Sequence, residues 1–313
     1  MRVHGGLPVS APPVVARRPD VTVHAATRPV WHAMPLDPAR PSRSTEHDRR
    51  ASALTDAGWV VGGAGIRLRF AEGATFWVSA ALDEIWLAFD PPLTAVDAAH
   101  FLLEPVLAFV LRGRGILVLH ASAVEWCGRG VAFCGPAGTG KSTAAAACVA
   151  DGAALISDDV VAVTRGGLHG EEWVAHRGTG AIRLWDDAAR LVVADLDAAP
   201  PFSATWDKRV IGAAALGARH AGPSTPLSMV CLLSRQRGTA GEVRIESIDG
   251  HAALRALIPH TVAKALLDTA SKGRELLQLG ALASDVPLVQ LIGSAGAPSL
   301  GAIASMVRER IGA

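Results

Sequence analysis

Residues 117–143 read LVLHASAVEWCGRGVAFCGPAGTGKST: two apolar runs, a short link with two glycines, and then a glycine-rich loop ending in Lys141 and Ser142. A link of about four residues is far too short for a parallel crossover, which needs a dozen or more, so the two runs are predicted to form a β-hairpin. The strand that enters the loop therefore has an antiparallel neighbour, whereas most loops of this kind sit among parallel strands. Centring the turn between Gly128 and Arg129 sets His120 opposite residue 137, at the mouth of the loop.

The loop itself, GPAGTGKS from Gly135 to Ser142, satisfies GxxxxGK[ST] in full, with a strand-like run before it and a helix former, beginning with Thr143, after it. Gly135, Gly138 and Gly140, spaced by Pro136, Ala137 and Thr139, let the backbone turn its N–H groups inward around phosphates. The following helix adds the positive end of its dipole. Lys141 is placed to reach the β- and γ-phosphates, and Ser142 to offer its hydroxyl to magnesium. ATP and Mg2+ are the cofactors expected, although the motif does not choose between ATP and GTP.

Working outward, LISDDVVAV at 155–163 is a short apolar strand ending in Asp158 and Asp159. Two carboxylates at a sheet rim suit phosphoryl transfer to a hydroxyl, one accepting the proton of the attacking oxygen and one lying by the metal. His120 is expected to hydrogen-bond Asp158 or to move a proton itself. Arg177, Arg183, Lys208 and Arg209 are candidates to steady the transferring phosphate, as its spread negative charge requires positive groups. Lys208 and Arg209 fall in a polar, loop-like stretch, and Trp173 and Trp185 are expected in the core.

The whole chain has 313 residues, 50% hydrophobic and 19% charged, with a formal net charge of +1. That supports a folded protein of one large or two small domains and gives no basic field for nucleic acid or anionic lipid. Cys127, Cys134, Cys148 and Cys231 show no CxxC spacing and are read as reduced, which suits the cytoplasm. No apolar run approaches the roughly 20 residues of a membrane span. Pro8, Pro12 and Pro13 break any signal-like stretch, so secretion is not expected.

Residues 1–50, rich in Pro, Arg and Ser, are expected to be loosely ordered. Residues 51–112 should form a small β-rich module, with strands at Ile66–Phe70, Thr75–Ala80 and Ile85–Phe89, closed by a linker helix over Val96–Leu111. Residues 113–313 form the P-loop domain, an α/β unit with a mixed sheet. Further strands are predicted at Val160–Thr164, Ala181–Leu184, Leu227–Leu233 and Val286–Ile292, with helices dominating from His251 onward.

The succession of His120, the glycine loop and the strand ending in Asp158 and Asp159 resembles the kinase domain of HPr kinase/phosphorylase, a bacterial protein-serine kinase whose fold is similar to that of phosphoenolpyruvate carboxykinase. The resemblance implies that Asp158 is the catalytic base, that His120 assists it, and that Asp159 lies by the metal. One departure is at 175–187, AHRGTGAIRLWDD, where Ala175 stands in place of the family's magnesium-binding glutamate. The pattern IRLWDDAARL, the Lys208–Arg209 pair and PLSMVCLLSR are similar instead to HPr kinase-related enzymes encoded with lasso-peptide and other modified-peptide genes. Those phosphorylate a serine hydroxyl of a ribosomally made precursor. A peptide or protein with an acceptor serine is accordingly the expected partner, and assembly as a homo-oligomer stays open. HPr itself as acceptor, a regulatory ATPase with no acceptor, and a small-molecule kinase are the alternatives.

Overall fold

A computed structural model describes residues 2–4, 21–25, 58–62, 65–70, 72–166, 171–193, 199–202, 208–217, 219–235, 243–262, 267–293 and 297–313. The chain divides into two units, Met1–Arg114 and Gly115–Ala313.

In the first unit, β1 (Arg2–His4), β2 (Thr22–Ala25), β3 (Gly58–Gly62), β4 (Gly65–Arg69), β5 (Ala74–Ser79) and β6 (Glu84–Phe89) form one sheet in the order β1-β2-β6-β5-β4-β3. Strands β3 to β6 are an antiparallel meander, and β1 and β2 extend it in parallel pairing. Alternation buries Leu68, Phe76, Val78, Ile85 and Leu87. Val23 of β2 is also fully buried, so part of the stretch expected to be loose contributes a core strand. The rest of residues 1–50 lies outside the described residues.

The expected linker helix is three helical segments in succession. Helix α1 (Ala95–Phe101) starts on a capping box, in which Thr94 and Asp97 satisfy each other's amides. A single π turn, Leu102–Val106, follows, and α2 (Leu107–Gly113) completes the run. Pro105 lies in the widened turn, where its missing N–H could not have served an α-helical ladder.

The second unit is built on a nine-stranded mixed sheet. Its strands are β7 (Leu117–Leu119), β8 (Ala121–Trp126), β9 (Arg129–Cys134), β10 (Ala154–Ser157), β11 (Val161–Gly166), β12 (Glu172–His176), β15 (Ser224–Arg235), β16 (Val243–Ile248) and β17 (Leu288–Gly293). The backbone order is β10-β8-β9-β15-β12-β11-β7, and β17 joins through β15 and carries β16. A separate antiparallel pair, β13 (Ala181–Trp185) and β14 (Lys208–Gly212), stands beside this sheet. Strands β12, β14 and β16 were not foreseen; the polar stretch holding Lys208 and Arg209 opens β14.

Strand β9 has antiparallel β8 on one edge and parallel β15 on the other. The hairpin inferred between β8 and β9 is present, but its turn is centred one residue earlier than expected, which shifts the pairing by two residues. Trp126 pairs with Arg129, leaving a two-residue turn of Cys127 and Gly128, whose φ angles of 49° and 77° are both left-handed, as a tight primed turn requires.

Helix α3 (Lys141–Ala150), the short α4 (Asp186–Ala189), α7 (Ala297–Ile311) and the β13–β14 pair share a core with Val124, Val131, Phe133 and Leu155 on one face of the sheet. On the other face α5 (Gly250–Leu257) and α6 (Thr269–Asp285) bury Ala253, Leu257, Leu279 and Leu282 against Ala123, Ala132 and Ile156. The small side chains Ala144, Ala145 and Ala146 let α3 lie close on the sheet. Among the described residues no helix is long and apolar enough to cross a membrane.

Candidate active site

Strand direction gathers the sequence-predicted residues at one rim. Because β10 and β9 are both antiparallel to β8, they run the same way and end together. Their C-terminal ends are two strand spacings apart, about 10 Å. The glycine loop leaves β9, Asp158 and Asp159 follow β10, and His120 immediately precedes β8. His120 thus sits one step beyond the Ala121–Cys134 pair, level with Gly135 rather than residue 137.

The loop has the backbone its glycines allow. Gly138 and Gly140 hold φ angles of 77° and 98°, a region costly for other residues. Pro136, Ala137 and Gly138 form an exposed crest, while Gly135 is buried against Thr139 and Leu233, where a Cβ would lie 2.6 Å from Thr139 Oγ1. The N–H of Ala144 makes the first helical bond, to Gly140 O, so the amides of Lys141, Ser142 and Thr143 precede the helical ladder and are free to meet an anion. Lys141 is buried, and its Nζ donates to Gly135 O at 3.0 Å and Pro136 O at 3.3 Å. The ammonium therefore lies within the loop where phosphate oxygens would take over its bonds. Burial, then the Lys208 charge, hold its pKa below the usual lysine value against the pull of Asp159, Cys134 and Asp158.

The two aspartates occupy a tight turn. Ser157 Oγ donates to Val160 O at 2.6 Å, Val160 N–H donates to Asp158 O, and Asp159 adopts a φ of 64°, which aspartate tolerates better than most residues. Asp158 is 4% exposed; its Oδ1 accepts from Ser122 Oγ at 2.6 Å and its Oδ2 from the Arg183 N–H at 2.8 Å. Asp159 faces cations: its Oδ2 lies 3.4 Å from Arg183 Nη1. Burial, with the Asp159 charge next, raises the Asp158 pKa. For Asp159 burial also pulls upward, but Arg183, His120, Lys208 and Lys141 together outweigh it, so its carboxyl stays below the ordinary value. One member of the pair is thus pushed up and the other down by their surroundings.

His120 does not hold Asp158, as had been expected; Ser122 and the Arg183 amide do. Instead Nδ1 of His120 lies 3.1 Å from Asp159 O, and since a carbonyl only accepts, Nδ1 carries the proton. Burial, then Lys141, lower the pKa of the ring, which leaves Nε2 as a bare acceptor in the neutral form. The backbone of His120 is fixed by its N–H bond to His260 O at 2.7 Å.

The candidate cations separate. Lys208 acts on Asp159, His120 and Lys141. Arg183, 5% exposed and over the Phe202 ring at 5.4 Å, joins both aspartates, one through its amide and one through its guanidinium. Arg209 is turned to Asp186, Nε to Oδ1 at 2.9 Å, and Arg177 donates to Ala221 O. Neither figures among the charges that act most on the acids.

Ala175 is fully buried on β12 in the sheet core. Among the described residues no cluster of three or more His, Cys, Asp or Glu forms a metal cage. A hydroxyl at Ser142 and a carboxylate at Asp159 nevertheless fit magnesium bound chiefly by nucleotide phosphates and water, which takes only one or two protein ligands. Cys134, at the end of β9, is no nucleophile, because burial pushes its thiol up to about 12 even with Lys141 nearby.

Sequence reasoning missed Ser122. It lies inside β8, two residues after the bend at His120, and a lone strand serine carries no signal that its hydroxyl meets Asp158. It also misjudged Trp185, which is 50% exposed while Trp173 is buried. Ile182 and Leu184 occupy the core-facing positions of β13, so the alternation turns Arg183 and Trp185 to the opposite face, Arg183 onto the acids and Trp185 to solvent.

No protein-family model matches the sequence, and no curated protein matches it. Among solved structures, the HPr(Ser) kinase/phosphatase from Coxiella burnetii aligns over 62% of this chain and 95% of its own at 15% identity, with a TM-score of 0.32.

Proposed function

We propose that the protein is an ATP- and magnesium-dependent kinase of the HPr kinase type, transferring a γ-phosphate to a serine hydroxyl of a ribosomally made peptide in the cytoplasm. The observation that carries this is the meeting, at one sheet rim, of an amide-lined loop holding a buried Lys141 with an aspartate pair surrounded by His120, Arg183 and Lys208.

The roles follow from position. The amides of the loop and of Lys141 to Thr143 hold the phosphates, and Lys141 exchanges its loop carbonyls for phosphate oxygens. Ser142 and Asp159 would hold the metal, which when bound would supply positive charge to the nucleotide phosphates. Asp158, fixed by Ser122 and Arg183, still has a free lone pair on each carboxylate oxygen and takes the proton of the acceptor hydroxyl. His120, tied through Nδ1 to Asp159 O, keeps Nε2 as a second proton acceptor beside the pair. Peptide rather than HPr as acceptor is supported by the similarity of residues 182–191 and 226–235 to the modified-peptide kinases and by Ala175 in place of the HPr kinase glutamate.

Incubation with γ-labelled ATP and a precursor peptide is expected to move label to a serine, adding one phosphate mass. HPr offered in parallel should stay unlabelled. Release of inorganic phosphate with no labelled acceptor of any kind would assign a regulatory ATPase and overturn the kinase.

A further inference from the structure

Besides Arg183 and Lys208, which serve the acids, the β13–β14 pair carries a residue at the site that the phosphotransfer chemistry does not use, Trp185. The pair's inward positions, Ile182, Leu184 and Ile211, are all buried. Paired residues share a face, so Arg183 and Val210, and Trp185 and Lys208, lie together on the opposite one. Lys208 Nζ stands 5.2 Å above the Trp185 ring. Half of this large ring is open to solvent, which leaves a broad apolar face with a polar edge available beside a charged site.

Its place along the chain of contacts indicates what would cover it. From the phosphate loop on β9, contacts run to β8, whose Ser122 holds Asp158, and on to β13, whose Arg183 amide holds the other oxygen of the same carboxylate. Trp185 lies two residues further along β13. In-line transfer puts the acceptor on the side of the γ-phosphate away from the leaving nucleotide. On an extended strand two residues span about 7 Å, and Trp185 shares the face of Arg183, so the indole stands within reach of an acceptor held at the acids. Lys208 ties it to the reacting centre, because the same ammonium acts on Asp159.

We infer that Trp185, with Lys208 over its ring, is a specificity-determining subsite for the acceptor, receiving an apolar side chain that neighbours the phosphorylated serine of a peptide. The inference rests on the kinase chemistry proposed above. An apolar contact of this size discriminates by about tenfold or more.

The test is a panel of short synthetic serine peptides differing only in the residue flanking the serine (Ala, Leu, Phe or Asp), assayed with wild type, Trp185→Ala and Trp185→Phe. Wild type should favour Leu and Phe over Ala in kcat/KM by about tenfold. Trp185→Ala should lose that preference with the KM for ATP within about twofold, and Trp185→Phe should keep most of it. Because the side chain is half exposed, folding of the variants is checked by an unchanged melting temperature. Transfer with a preference that survives Trp185→Ala overturns the subsite while leaving the kinase standing. A raised KM for ATP in Trp185→Ala overturns it in favour of a nucleobase contact. Absence of transfer by wild type to every peptide overturns the kinase and the subsite together.

Discussion

Two hairpins frame the rim of the larger unit, and they differ in how they are held. In β8–β9 nearly every residue is buried, and the strands are locked on both sides by β10 and β15. The β13–β14 pair packs one face into the core, buries Arg183 of the other against Asp159 and Phe202, and exposes Trp185 beside it. The first hairpin positions the loop, His120 and Ser122, groups that must meet phosphate and proton with little freedom. The second supplies Arg183 and Lys208, which steady the acids, and Trp185, which looks outward. Rigid placement thus belongs to the phosphate end, and adaptable surface to the end where the acceptor varies.

Removing one group from each end should break this division most sharply. Lys141→Ala strips the loop of its buried cation and should weaken Mg-ATP binding and turnover together, with transfer down by roughly 10³-fold. Asp158→Asn keeps the shape of the acid turn and leaves the loop intact. It should lower transfer by a similar factor, about 10³, while the Kd for Mg-ATP measured by calorimetry stays within a few-fold. Loss of binding in Asp158→Asn as large as in Lys141→Ala would move Asp158 to the metal and collapse the assignment of roles.

The same contrast decides what could be seen in the sequence. The β8–β9 hairpin was visible because its alternation is apolar, its turn is marked by Gly128, and its partners are adjacent in the chain. The register was misplaced because Arg129 and Gly130, which look like turn residues, belong to β9. Strand β14 was hidden, since KRVIG opens with two charges and its partner β13 lies more than twenty residues upstream. The Arg183 contact with Asp158 was invisible in principle: it is made by a backbone N–H, which every residue but proline offers. Trp185 was legible after all, as Ile182 and Leu184 fix the inward phase of the strand.

A smaller effect probes how the acid turn is supported from the sequence around β13. Gly178 packs on Ser157, and a Cβ there would come within 2.1 Å of the Oγ that ties Ser157 to Val160. Gly178→Ala must displace that hydroxyl and loosen the turn holding both aspartates. Transfer is expected to fall by about 10²-fold, as for other displacements of order 1 Å near a reacting group, with Mg-ATP binding nearly unchanged. Ser122→Ala removes a single hydrogen bond from the same carboxylate and should cost about tenfold. Equal losses in the two variants would mean that the turn, not the orientation of Asp158, controls the rate.

The smallest effect separates two neighbours that the sequence presents as a pair. Lys208 acts on Asp159, His120 and Lys141, and Lys208→Ala should lower transfer by about tenfold through weaker stabilisation of the phosphoryl charge. Arg209, one residue on, faces the other side of the strand and is spent on Asp186 and Ala199 O. The Arg209–Asp186 pair is partly exposed, so its loss is screened, and Arg209→Ala should change transfer by less than about twofold with only a slight drop in melting temperature. A larger kinetic loss from Arg209→Ala than from Lys208→Ala would reverse the facing of β14 inferred from its pairing with β13, and with it the outward surface on which Trp185 stands.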